Sequence, residues 1–460
     1  VTEETKKSMQ KKHPHQAARS RWSKILGDYG MLGVLLILCL LFSVLTLREQ
    51  SPTGSNAAEK LMASLKQHRT VSSGVLIVAR VNGEDSLFAN TLNRKLKESS
   101  IPSRIIFSSE PSVLRDSLNQ FASRKEVPRI IATSRSFSAV IGAIVTQLKD
   151  YQSSEIVTPP TYRWPTFLLA DNLRNVANQI TVIAIIAIGM TIVIITAGID
   201  LSVGSLIALS AVVTAWIVGH MGGASASTLA VLIAGLGGIL VCAATGAFSG
   251  VMITGFGIPP FIATLSMMQV AAGFAYIISQ GKPIYQLPEG FILLGRGADP
   301  LFNIPYAVIL MIVLYVLAHI VMTRTTIGRY IYAVGGNPEA ARLSGIRVKL
   351  ILFWAYVICG LLAGLGGVIM ASQLKSGAPT YGLTYELYVI AAVVVGGTSL
   401  MGGEGRISGT LIGAFIIAVI QNGMNLTNVE SYTQKVVLGG VILAAVLLDR
   451  LKQRGFRISG

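Results

Sequence analysis

Charge is what this sequence has least of. Of its 460 residues, 13% are charged and 52% hydrophobic, whereas a soluble domain ordinarily carries about 25% charged residues. The shortage is uneven: residues 166–460 hold only 15 Lys or Arg and 9 Asp or Glu. Such a stretch cannot present a normal water-facing surface, and it is too apolar to stay unfolded. An ordinary soluble enzyme and a disordered chain are both excluded. Cysteine is scarce as well. Cys39, Cys242 and Cys359 lie inside apolar runs, so they form no disulfide framework or metal-ligand spacing and read as small packing residues. His220 and His319 stand without ligand partners, and no metal site is expected. Also missing is any GxxxxGK[ST] segment, so this chain cannot cradle a nucleotide in a P-loop.

The net charge of +16 would suit nucleic acid, but its distribution does not. Lys6, Lys7, Lys11, Lys12, Arg19, Arg21 and Lys24 precede the first apolar run, and Arg450, Lys452, Arg454 and Arg457 follow the last. Basic residues beside apolar runs fix orientation in a membrane, where Lys and Arg stay on the cytoplasmic side. A phosphate-binding face would interleave them with aromatics, so no nucleic-acid partner is expected.

A bilayer core of about 30 Å needs roughly 20 apolar residues in helix. The first run, 31–47, is long for a signal-peptide core, and no small-residue cleavage site follows it, so it reads as a retained anchor. Nine more spans are expected at 176–197, 202–219, 228–252, 258–279, 304–322, 350–371, 386–400, 407–422 and 434–448. Ten spans leave both termini on one side. The Lys and Arg count between spans places that side in the cytoplasm. The expected fold class is therefore an all-α polytopic membrane protein of about ten transmembrane helices with a small inserted α/β domain. The chain divides into a basic cytoplasmic tail (1–30), the first span (31–48), an extracytoplasmic module with its linkers (49–165), a transmembrane body (166–449) and a second cytoplasmic tail (450–460). Gly is abundant, 47 residues. In the spans it reads first as tight helix packing and second as a mark of helices that break or slide.

Polar residues inside apolar runs are the candidates for a passage. Asp200 and Ser202 sit between two spans with Gly198, Gly204 and Ser205 around them, a composition that favours a broken helix whose polar groups face protein or water. Asp200 is either a gate element or the cap of the following span. Asn178, Gln179, Gln269 and Asn422 are amides on otherwise apolar spans, each either a pathway contact or an interhelical hydrogen bond. Glu386 and Glu404 have weaker claims.

The longest cytoplasmic excursion, 323–349, carries a helix-start signature. Gly335 and Gly336 make a turn, Asn337 is the N-cap, Pro338 takes the first helical position and Glu339 the first turn. Two turns to Ser344 and a C-cap at Gly345 complete a short amphipathic helix, suited to lie on another protein or at the lipid interface. Glu339 to Gly345 has the form EAAxxxG, by which permeases of ABC importers contact their ATPase subunits. Further motifs stand in register: Gly189-Met190-Thr191; Ala197-Gly198-Ile199-Asp200-Leu201-Ser202-Val203-Gly204-Ser205; Ile258-Pro259-Pro260-Phe261-Ile262-Ala263-Thr264-Leu265; Thr326-Ile327-Gly328-Arg329 with Ala333-Val334-Gly335-Gly336-Asn337; Gly396-Gly397-Thr398-Ser399-Leu400-Met401-Gly402-Gly403-Glu404-Gly405-Arg406 with Gly409-Thr410. From about Pro165 onward the chain resembles the sugar-type ABC permeases, those for ribose, xylose and galactose. Family members commonly have GGID where this chain has Ala197-Gly198-Ile199-Asp200, and a short loop where it has the module.

The resemblance implies an importer of two permease copies, identical or paralogous, with cytoplasmic ABC ATPase subunits and an extracytoplasmic solute-binding protein, held in membrane lipid. It implies that this chain is no enzyme and binds no cofactor, ATP and Mg residing on the partner ATPase. A coupling helix at 337–346 would present Asn337, Pro338, Glu339, Ala340, Ala341, Arg342 and Gly345, with Glu339 and Arg342 as polar contacts and Ala340, Ala341 and Gly345 allowing close approach. The solute implied is a simple sugar, with a nucleoside or sugar-derived signal as the alternative. An ion-coupled transporter is disfavoured by the scarcity of intramembrane carboxylates, and a ligand sensor by the number of spans.

Within the module, strands at 75–81, 104–107 and 129–132 alternate with helices at 86–98, 112–124 and 137–149, and three such units argue for a parallel α/β sandwich. Ligands in such folds sit at the carboxyl ends of strands, so Arg80, Ser108, Ser109, Thr133, Ser134 and Arg135 form the natural rim. In pattern it resembles one lobe of a solute-binding protein. Two lobes are needed to enclose a sugar, which favours docking, spacing or assembly over solute capture. Segments 51–56 and 158–165, rich in Pro, Ser and Thr, read as its linkers.

Overall fold

The computed structural model describes residues 14–65, 74–124 and 126–458, with side chains between 30 and 447. The basic residues of both tails named above lie outside the described side chains. The chain forms two compact units, one of residues 1–46 and 167–460, the other of residues 47–166.

The first unit is helical: α1 (Pro14–Leu45), α6 (Ala170–Ile195), α7 (Val203–His220), α8 (Thr228–Phe256), α9 (Pro260–Ser279), α10 (Glu289–Arg296), α11 (Tyr306–Arg324), α12 (Thr326–Gly336), α13 (Pro338–Leu343), α14 (Val348–Leu374), α15 (Tyr385–Val395), α16 (Ile407–Leu426) and α17 (Ser431–Ile458). Among the described residues, α6, α7, α8, α9, α11, α14 and α16 are long and apolar enough to cross a membrane, and the apolar parts of α1 and α17 and all of α15 are shorter. This is a multi-pass, all-helical membrane body.

α6 is its axis. Every residue from Ile180 to Ile195 is buried, as befits a helix apolar on all sides. Packing around it depends on absent side chains. A Cβ at Gly360 on α14 would stand 2.4 Å from the Cys242 carbonyl of α8, and one at Gly246 on α8 would stand 2.3 Å from the Tyr356 carbonyl of α14. Gly246 and Gly250 on one helix and Gly360 and Gly364 on the other share the small-xxx-small spacing that lets backbones touch where lipid supplies no hydrophobic drive.

The stretch expected as a span at 386–400 differs. Its helix, α15, has 11 residues, about 16 Å at 1.5 Å each, half a bilayer. It ends where Gly396 and Gly397 (φ +89°) turn the chain. A Cβ at Gly413 of α16 would meet the Ala392 carbonyl at 2.0 Å, so α15 is held by backbone contact with α16 despite its length.

The second unit contains β1 (Leu47–Gln50), α2 (Gly54–Leu65), β2 (Val75–Ala79), α3 (Gly83–Glu98), β3 (Ser103–Phe107), α4 (Pro111–Ser123), β4 (Ile130–Thr133), α5 (Arg135–Val145), β5 (Glu155–Val157) and β6 (Tyr162–Pro165). β3-β2-β4-β5 is a parallel sheet in that order. Alternation divides its side chains. Val75, Ile77, Ala79, Ile130 and Ala132 face α2 and α3, while Leu76, Val78 and Ile131 face α4 and α5. Strands buried on both faces read as continuous apolar runs. Both expected linkers hold structure. α2 begins at Gly54 and buries Ala57, Ala58, Leu61 and Leu65, and β6 pairs antiparallel with β1, Leu47 opposite Pro165.

Candidate functional site

Three of the sequence motifs meet at the C-terminal end of α6. The helix stops at Ile195 and the chain turns before α7, with Ala197 at φ +61°. Gly198 leaves room for the Tyr356 hydroxyl, which a Cβ there would approach to 2.3 Å. Asp200 Oδ1 accepts hydrogen bonds from the Ser202 amide (2.9 Å) and hydroxyl (2.6 Å), and both residues are buried. The geometry is therefore that of a carboxylate tying a tight turn ahead of a helix. Asp200 and Ser202 are both enclosed in this arrangement, where the carboxylate holds the turn ahead of α7. Over this turn closes the glycine-rich stretch 396–406: the Gly403 amide donates to the Ile195 carbonyl at 2.8 Å. From the other side comes α12, whose Gly335 lies so close to that carbonyl that a Cβ would stand at 1.8 Å. Tyr332 of α12 donates to the Gly405 carbonyl at 2.8 Å. Burial raises its hydroxyl above the ordinary range and Arg406 partly offsets this, so it remains a donor.

α13 projects from this base. Asn337 Oδ1 accepts from the Ala340 amide at 3.0 Å, Pro338 opens the helix, and the chain leaves through Gly345 at φ +81°. The Ile346 amide returns to the Ala341 carbonyl at 3.0 Å, closing the C-cap. Asn337, Pro338, Glu339, Ala340, Arg342 and Gly345 are exposed. Glu339 and Arg342 pair with each other at 2.8 Å, an exposed i,i+3 pair that a partner can open at little cost. Ala341 is 4% exposed and turns inward, seating the helix. The residue that sequence reasoning passed over is Leu343, 84% exposed at the tip. Its signal was an apolar side chain between Arg342 and Ser344 on a six-residue helix that buries only Ala341.

The four amides separate. Asn422 and Asn172 exchange hydrogen bonds at 2.9 and 3.0 Å, clasping α16 to α6. Asn178 donates to the Gly295 carbonyl at 3.1 Å, and its own carbonyl accepts from Gln373 at 3.0 Å, joining α6, α10 and α14. Both serve here as interhelical ties. Gln179 is exposed near the start of α6, and Gln269 is exposed midway along α9.

At the module rim Arg80 is already engaged, by Asp85 at 2.6 Å and Ser136 at 2.6 Å. Ser109 accepts from the Val81 amide at 3.2 Å, and Ser108 both donates to and accepts from Glu110. Ser134 contacts Ser136 at 3.3 Å, and Arg135 reaches Thr158 at 3.4 Å. Thr133 is buried, its hydroxyl without a partner among the described residues. The rim is thus largely bound to itself. Among the described residues no group of three or more His, Cys, Asp or Glu could hold a metal ion.

A family model described as branched-chain amino acid transport system, permease component, matches residues 172–446. The ribose import permease protein of Escherichia coli strain K12 is 46% identical over 291 residues, 63% of this chain and 88% of that one. The D-allose transport system permease protein of the same organism is 39% identical, covering 62% of this chain and 85% of the relative. For the L-arabinose ABC transporter permease protein of Azospirillum brasilense the identity is 37%, over 63% and 83%. No solved structure matches.

Proposed function

The chain belongs to the permease family of ABC transport systems, within its sugar-type branch, and from that premise we propose that it is the membrane subunit of an importer for a monosaccharide-like solute. Alternating access is driven by ATP hydrolysis, with ATP and Mg on partner subunits, this chain binding no cofactor. The carrying observation is α13: an exposed, capped helix whose base is locked to the end of the central helix by Gly335, Tyr332 and Gly403. A push on α13 therefore reaches α6 through backbone contacts that have no slack, and packed elements shift between discrete arrangements instead of deforming smoothly. Leu343 is the knob that enters the ATPase, ringed by Glu339 and Arg342, an apolar anchor inside a polar rim. α13 and the tails face the cytoplasm, and the module faces outward. There it serves docking, spacing or assembly with the solute-binding protein, because most of its rim groups are already engaged within the module.

The test is reconstitution of the permease with its ATPase and binding protein. Leu343→Glu should lower sugar-stimulated ATP hydrolysis and uptake by about tenfold or more, as expected for loss of an interface anchor worth upwards of about 1.4 kcal/mol. The variant should still purify as a folded membrane protein. Unchanged coupling would remove α13 as the contact, and failure of the intact complex to move any sugar would remove the transport reading.

A further inference from the structure

The rim of the 47–166 unit is not engaged evenly. In the sheet order β3-β2-β4-β5, the chain leaves β2 toward β3 and leaves β4 toward β5, so the connections part between β2 and β4. The helices that follow these strands part as well: α3 packs on the face of Ile77 and Ala79, and α5 on the face of Val78 and Ile131. Such a switch point opens a crevice at the carboxyl ends of the strands, where open α/β sheets bind their ligands. The N-terminus of α3 is closed upon itself there. Asn82 Oδ1 accepts from the Asp85 amide at 2.7 Å, and Glu84 and Asp85 place negative charge in the first turn. α5, with 11 residues, has Ser134 as N-cap with no side-chain bond to its amides, and no acidic residue in its first turn. The amides of Arg135 and Ser136 precede any intrahelical acceptor, and the positive end of the helix is left uncompensated.

A second observation is Thr133, the residue before that cap. It is fully buried, and its hydroxyl has no hydrogen-bond partner among the described residues. In register with Val78 and on the same face as Ile131, it is aimed to the side of the sheet on which α5 begins. A buried hydroxyl has given up its water and stays costly until an acceptor reaches it. Arg80 arches over the same turn. Asp85 holds its Nε at 2.6 Å, its Nη2 donates to Ser136 Oγ at 2.6 Å, and its Cζ stands 5.5 Å from the centre of the Phe137 ring. The remaining contacts are loose. Ser134 Oγ lies 3.3 Å from Ser136 Oγ, and Arg135 Nη1 lies 3.4 Å from Thr158 Oγ1, both longer than well-formed hydrogen bonds.

We infer that the N-terminus of α5 is a binding site for a small tetrahedral oxyanion, a phosphate group either free or carried on a larger molecule. The donors decide the class. The amides of Arg135 and Ser136, the hydroxyls of Thr133, Ser134 and Ser136 and the guanidinium of Arg80 all offer hydrogens to one turn. A carboxylate has too few oxygens for so many donors, whereas a phosphate presents enough. Charge agrees: Arg80 and Arg135 outweigh Asp85 at this turn, and Glu110 stands apart at the end of β3, beyond β2. The anion replaces the long contact between Ser134 and Ser136, and the turn that it opens exposes the Thr133 hydroxyl to its acceptor. No step of this involves the solute carried by the membrane body, so the site stands or falls apart from the transport reading.

The test uses the full chain in dodecyl maltoside, a detergent without phosphate, and inorganic phosphate as the probe. Binding is followed by equilibrium dialysis of the radiolabelled ion and by the midpoint of thermal unfolding, with chloride at equal ionic strength as the blank. The native chain should bind saturably, and its midpoint should rise with phosphate. Thr133→Val keeps the shape and removes the hydroxyl. It should weaken binding about tenfold or more and leave the phosphate-free midpoint unchanged or higher, because an orphaned donor has gone. Thr133→Ser should bind as the native chain does, and Arg94→Gln, toward the far end of α3, should change nothing. Absence of saturable binding, or equal binding by Thr133→Val, would overturn the inference. So would loss of binding together with a lowered phosphate-free midpoint, the mark of a hydroxyl that only holds the fold. Competition then names the source, each result supporting the site. A hexose phosphate effective at far lower concentration makes the group part of a small solute, and equal potency makes it free phosphate. Blocking of the site in nanodiscs that contain phosphatidic acid, but not in those of phosphatidylcholine alone, makes it a lipid headgroup.

Discussion

Ala197 is a non-glycine residue at φ +61°, a region that L side chains enter at a cost of about 1–2 kcal/mol. It stands where the family commonly carries Gly, at the turn that lets the chain leave α6. The neighbours explain why the turn is kept: a Cβ at Gly402 would come within 2.9 Å of the Ala197 Cβ, so the two positions share one small-residue contact. Ala197→Gly removes the strain but gives the unfolded chain more freedom. The expected net effect is a stabilisation of about 0.5–1 kcal/mol, measured as a raised midpoint of thermal unfolding in detergent. A lowered midpoint would show that the Cβ contributes packing that outweighs the strain. At this scale the amides also teach something. Asn178, Gln179, Gln269 and Asn422 are indistinguishable in sequence, because whether an amide finds a partner depends on which helix lies opposite. Among the described residues only Asn178 and Asn422 have one.

Among elements, the α8–α14 contact shows how much of this body is made of missing Cβ atoms. Gly360→Ala should push the Cys242 carbonyl from a position only 2.4 Å away and destabilise by about 1–3 kcal/mol, the usual range for overpacking. Gly336→Ala, where nothing lies within 4 Å and φ is not in the left-handed region, should be close to neutral. Equal unfolding midpoints for the two variants would refute the backbone-contact account. The spacing of these glycines was visible in the sequence, but which pairs meet was not. α13 was legible down to its caps, since Asn337, Pro338 and Gly345 act on their own backbone and need no distant partner. α15 was not: the span expected at 386–400 was carried on through Gly396, Gly397, Thr398 and Ser399 to Leu400, whereas the helix stops at Val395. What ends it is the glycine pair at 396–397 and close contact with α16.

For the whole molecule, the two compact units have separate cores. The 47–166 unit has a parallel sheet covered on both faces, enough for an independent fold at this size. Expressed alone it should unfold cooperatively, with the β2 amides most protected from hydrogen exchange. Its Tyr151 hydroxyl donates to the Leu118 carbonyl at 2.8 Å. Burial, and after it the charge of Asp150, pushes that hydroxyl from 10.0 up to about 12. A folded-state pKa above the unfolded one means the contribution is complete below pH about 10 and disappears as pH rises through about 12. Tyr151→Phe should flatten that alkaline loss of stability; an unaltered alkaline profile would place its cause elsewhere.

Composition and local pattern alone determined that most of this chain lives in a membrane, that an α/β unit interrupts it, and that a capped helix projects between two spans. Each of these follows from short-range physics: hydropathy over one helix length, alternation within one strand, hydrogen bonds within one turn. Only the tertiary structure decided which buried polar groups are ties and which are left facing outward, why Ala341 turns inward while Leu343 stands free, and where the glycine motifs converge. Those outcomes depend on backbones brought together from distant parts of the chain, and a carbonyl at Ile195 has no way of announcing, in sequence, that Gly335 and Gly403 will close upon it.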